Sequence, residues 1–202
     1  MAATLAPTTI DRSDFRTVLA GGTRLGLFTA FAVVLYLIVS KRVPAGSAQT
    51  VLETLIVLGA GAVATFLPGR WCAARSVEGI AGAAGVGLWG ALVFSAVDII
   101  VLRPVKAYPW TWDAVGGGSS WWYLPVWWML GTFLAWMGGV LIAGGGDRSS
   151  LSRTIAPVFV GAIVLTAAAR FAGYHGVLPF VAGAGFAVTL PVLAIVALAR
   201  RA

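Results

Sequence analysis

Charge is what this sequence has least of. Only 10% of its 202 residues are Asp, Glu, Lys or Arg, against roughly a quarter in soluble domains. With 59% hydrophobic residues and a mean hydropathy of +0.93, the deficit excludes a soluble globular class. Cysteine and histidine are nearly missing too, at one of each. A lone Cys72 excludes an internal disulfide and any CxxC site. A lone His175 leaves no HExxH or HxxxH pair, so the common metal centres fail on ligand number and no metal is expected. There is no G-x-S-x-G elbow, and "GGGSS" at 116–120 is no P-loop because no lysine follows where a phosphate would need it. The first two dozen residues lack the basic start, short apolar run and small-residue cleavage site of a secretory signal, so the N-terminus is expected to stay on the chain.

What is present is apolar residues in long runs, several near the ~20-residue length that spans a bilayer as a helix. They predict an all-α polytopic integral membrane protein, a single transmembrane domain over 1–202 with about six helices. The predicted spans are 24–40, 50–68, 79–102, 121–143, 154–172 and 176–199, with five possible if one of the last two is re-entrant. Residues 1–23 form an N-terminal segment in which "DRSDFRTVLAGG" suits a short amphipathic helix on the membrane surface, Phe15, Val18 and Leu19 facing lipid. Residues 103–120 form the longest loop.

The net charge of +7 comes from basic residues set singly or in pairs between the runs. That is the pattern of topology signals and headgroup contacts, and it argues against a nucleic-acid face. With the N-terminus inside, Arg12, Arg16, Arg24, Arg70, Arg75, Arg148, Arg153, Arg200 and Arg201 lie inside. Lys41, Arg42, Arg103, Lys106 and Arg170 then lie outside. Both termini are therefore expected in the cytoplasm, in what would be a bacterial inner membrane.

Glycine is abundant, at 26 residues, although it is a poor helix former. Inside a bilayer, small residues let helix backbones approach closely, and packing drives their association. Gly79, Ala83, Gly87, Ala91 and Ser95 recur every four residues, which predicts a close seam. The third helix is expected to be central and packed on at least two neighbours.

The stretch "WTWDAVGGGSSWWYLPVWWM" at 110–129 packs six tryptophans around three glycines. An aromatic belt at the headgroup level explains such indoles in part. Yet Trp110, Trp112, Trp121, Trp122 and Trp128 face several directions, so some are expected to meet protein or a flat hydrophobic ligand. Few ionisable residues fall inside the spans. Glu53, Asp98 and Arg170, with His175 on its loop, all belong to the outer leaflet on this topology. Charges at that depth pair or line a wet cavity. An Asp98–Arg170 or Glu53–Arg170 ion pair is one expectation. A pocket with Asp98 and Arg170 at its polar end, roofed by the tryptophans, is the other.

These features favour a non-catalytic membrane subunit that packs in a larger, energy-transducing type of complex. It would contact membrane lipids and hold a lipid, quinone or carotenoid. The alternatives are a small transporter or channel, or an enzyme acting on a lipid or isoprenoid at the outer leaflet. Transport is disfavoured because the inner halves of the spans are nearly free of polar groups and no internal repeat is visible. The stretch "WTWDAVGGGSSWWYLP" resembles the Trp-Asp segment of small membrane lycopene cyclase domains, but the paired acidic motif those domains carry near a proline is replaced here by "YLPVWWM".

Overall fold

The computed structural model describes residues 12–105, 107, 123–145 and 151–199. They form α1 (Phe15–Arg42), α2 (Ser47–Trp71), α3 (Val77–Val97) with a π-helical turn continuing it (Asp98–Leu102), α4 (Tyr123–Gly145), α5 (Leu151–Phe171) and α6 (Leu178–Ala199). Six helices are long and apolar enough to cross a bilayer, and no strand occurs among the described residues. The chain is an all-α integral membrane protein with six spans. The end where α1 starts is called proximal below, and the opposite end distal.

Five boundaries agree with the apolar runs to within a few residues. The first does not. Among the described residues Phe15, Val18 and Leu19 belong to no separate surface helix: α1 is one continuous helix from Phe15. Asp14 caps it by accepting the Thr17 N–H at 3.1 Å and the Thr17 hydroxyl at 2.6 Å. Val18 packs toward Leu25, Cys72 and Val86, although Phe15 does remain exposed. The Arg12 N–H reaches the Cys72 carbonyl at 2.7 Å, and the Ser13 hydroxyl donates to Glu78 at 2.9 Å. These bonds hold the start of α1 upright against the α2–α3 turn. A segment with such anchors has no reason to lie along the membrane.

The helices associate through small residues. One face of α3 follows the predicted stripe and meets α4. A Cβ on Gly87 would run into the Gly131 carbonyl and the Ala135 methyl group, and Gly139 sits over Ala83. A second face of α3 meets α1, where a Cβ on Gly22 would lie 2.6 Å from the Trp89 ring and one on Gly26 2.6 Å from the Gly90 carbonyl. So α3 lies between α1 and α4 as expected, although α2 and α4 each have a wider set of helix neighbours, α2 touching α1, α3, α4 and α6, and α4 touching α2, α3, α5 and α6. The main core joins α2, α4, α5 and α6 around Phe66, Val158, Phe186 and Leu190. Helix α5 rests almost wholly on α6.

Candidate functional site

At the distal end the last turn of α3 widens into a π-helical turn, which closes hydrogen bonds from residue i to i+5. The Arg103 N–H accordingly donates to the Asp98 carbonyl at 2.9 Å. The same widening brings the two side chains together: Arg103 Nε lies 3.4 Å from Asp98 Oδ2. In a plain α-helix residues five apart sit on different faces, so the pair depends on the π geometry. Asp98 is buried. Beyond the turn, Lys41 at the end of α1 donates its ammonium to the Ala107 carbonyl at 2.6 Å, and Leu102 packs with Ala30 and Phe94.

One turn below Asp98, the buried Ser95 hydroxyl donates to the Ala91 carbonyl at 2.8 Å and accepts from Trp128 Nε1 at 3.3 Å. Trp127 meets Phe94 edge to face, with ring centroids 6.1 Å apart. Two adjacent indoles of α4 thus clasp α3, one through its N–H and one through its ring. Trp127 keeps part of its surface exposed and Trp136, deeper on α4, is half exposed. Among the described tryptophans of α4, Trp128 bonds to α3 while Trp127 and Trp136 keep exposed surface.

The other expected site residues lie apart. Glu53 is buried on α2 and faces the Tyr36 hydroxyl of α1. Arg170 reaches neither acid. Its guanidinium donates to the Tyr174 carbonyl at 3.3 Å, where a cation favours the negative end of α5. Helix α5 closes there with Gly173 at φ +83°, a left-handed conformation that glycine adopts without Cβ strain. His175 is exposed on the same turn. Neither expected Arg170 ion pair forms: Asp98 pairs with Arg103, and Glu53 faces Tyr36. Trp110, Trp112, Trp121 and Trp122 lie outside the described residues.

No protein family, curated protein or solved structure matches this chain.

No group of three or more His, Cys, Asp or Glu that could hold a metal occurs among the described residues. The sequence reasoning missed Arg103 and Tyr36. Arg103 had been placed among the headgroups, and only the "DIIVLR" spacing combined with a π-turn would reveal it. Tyr36 gave a weaker signal still, since a lone tyrosine late in a span reads as part of an aromatic belt.

Proposed function

We propose that the protein is a non-catalytic integral subunit of a larger membrane assembly, holding a hydrophobic molecule such as a lipid, quinone or carotenoid against its distal aromatic residues. The observation that carries this reading is the disposal of the buried acids. Asp98 is buried and engaged by Arg103 within the π-helical turn, and Glu53 is buried where α2 faces Tyr36 of α1. A catalyst or proton carrier keeps such groups directed at a substrate or along a path. Here one closes a helical turn upon itself and the other lies between two helices. The exposed edge of Trp127 beside Phe94 supplies a flat apolar surface for the ligand. On the basic-residue distribution, we also propose a bacterial inner membrane with both termini in the cytoplasm.

The test is extraction of the tagged chain in native-lipid nanodiscs, with particle mass and organic extract measured together. The expected result is a particle containing larger membrane chains and a retained hydrophobic molecule. A lone chain that turns over a lipid substrate, or that moves a solute in vesicles, would sink the proposal.

A further inference from the structure

Arg24 takes part in none of the pairings described above. The apolar run that starts after it suggests that Arg24 marks the membrane boundary, but it lies well inside α1, nine residues after Phe15. Its height follows from the α1–α3 seam. Gly22 touches Trp89 and Gly26 touches Gly90, so Arg24 stands level with the middle of the stretch from Val77 to Leu102. At 1.5 Å per residue, Trp89 is about 18 Å along the axis from Val77, and the hydrocarbon core is ~30 Å thick in all. Arg24 is exposed at that height, and it has no ion pair or hydrogen bond among the described residues.

A guanidinium on the outer surface of a bundle at mid-height is costly unless an anion meets it. Its surroundings are shaped for a helix. Ala20, Arg24, Leu27 and Phe31 follow one another at intervals of four, three and four residues and are all exposed, a stripe along one helical face. Small Ala20 lets a backbone approach, while Leu27 and Phe31 offer apolar contacts above the charge. Beside the stripe, Thr23 accepts the Trp89 indole N–H at 3.1 Å, which fixes the indole against α1.

We propose that this face of α1 binds a transmembrane helix of another subunit that carries a carboxylate at mid-membrane depth, paired with Arg24. The proposal rests on the reading of the chain as a subunit and names the surface and the chemistry of its partner. A second copy of this chain does not fit. Of its seven acidic residues, Asp14 and Glu78 stand at the proximal ends of helices. The other two acids among the described residues, Glu53 and Asp98, are buried toward the distal end. A lipid phosphate would have to be drawn far below the headgroup level, even with the side chain snorkelling toward it.

The experiment places a photo-crosslinking amino acid at Leu27 in the full chain in native membranes, on backgrounds of wild type, Arg24→Lys, Arg24→Leu and Arg24→Glu. Wild type is expected to crosslink to one larger membrane protein. Arg24→Leu and Arg24→Glu should reduce that product about thirtyfold or more, the equivalent of truncating one side of a buried charge pair. Arg24→Lys should retain an intermediate yield. Because Arg24 is exposed in the isolated chain, the purified Arg24→Leu variant should melt at or above the wild-type temperature, which separates lost docking from lost folding. Equal crosslinking with and without the charge, while the assembly persists, would overturn the Arg24 proposal and leave the subunit reading standing. Crosslinks to lipid alone would do the same. Crosslinks only to a second copy, or a wild-type chain that is solitary in native nanodiscs, would overturn both.

Discussion

The Asp98–Arg103 pair is lopsided: the carboxylate side chain is 7% exposed and the guanidinium 28%. Removing the more exposed partner takes the arginine counterion from the buried carboxylate, so the two single substitutions should not cost the same. Arg103→Leu should destabilise by roughly 3–5 kcal/mol, the usual penalty for leaving a buried charge without its counterion. Asp98→Leu should cost less, about 1–3 kcal/mol, because the stranded guanidinium can turn toward the headgroups. The double substitution should recover much of the Arg103→Leu loss. Arg170→Ala, which only trims a helix end, should cost under about 1 kcal/mol. Unfolding free energies measured by steric trapping in bicelles would rank the four variants, and equal costs for the two single substitutions would contradict the assigned burial.

At the scale of helices, the seams predict opposite outcomes for the same chemical change. Gly87→Leu drives a side chain into the Gly131 backbone and should cost about 3 kcal/mol or more, the upper end for overpacking. Gly59→Leu, with nothing within 4 Å of its Cβ position, should change stability by less than about 0.5 kcal/mol, as surface substitutions do. Melting temperatures in one detergent decide the comparison. The start of α1 carries a pH signature of its own. The Thr17 hydroxyl, and then the Thr17 N–H, hold the Asp14 carboxyl below its ordinary range. A depressed carboxyl stabilises the folded cap above the unfolded pKa of about 3.9, and that contribution is lost as the pH falls through the lower, folded value. Hydrogen exchange of the Thr17 and Val18 amides should accelerate relative to intrinsic rates as the pH drops below about 4. Asp14→Asn should remove that pH dependence.

Helix existence and the α3–α4 seam were legible because both rest on local periodicity: an apolar run of spanning length, and small residues every fourth position. The beginning of α1 was not. "FRTVLAGGTR" reads as interfacial by composition, and what makes it part of a span is its contact with Cys72, Val86 and Trp89, residues far away in the chain. The same limit hid the partners of Asp98 and Glu53. One depends on a π-turn that no spacing rule announces, and the other on which two helices happen to adjoin.

For the molecule as a whole, the basic-residue distribution predicts sidedness. With the buried Cys72 replaced by Ala, Ala45→Cys in the distal α1–α2 turn should react with an impermeant maleimide on intact cells. Arg75→Cys in the proximal α2–α3 turn should react only after permeabilisation. Both positions are exposed, so the reverse pattern would invert the assigned orientation. The lean attachment of α5 has a mechanical consequence. Since α5 rests almost wholly on α6, pulling on the C-terminus with a cantilever should draw out the two helices as one hairpin before the rest yields. The extracted chain, residues 151–199, corresponds to roughly 170 Å of contour at ~3.5 Å per residue. Two successive shorter ruptures in native membranes, merging into one when the isolated chain is pulled, would mean that a neighbouring molecule grips α5 from its open side.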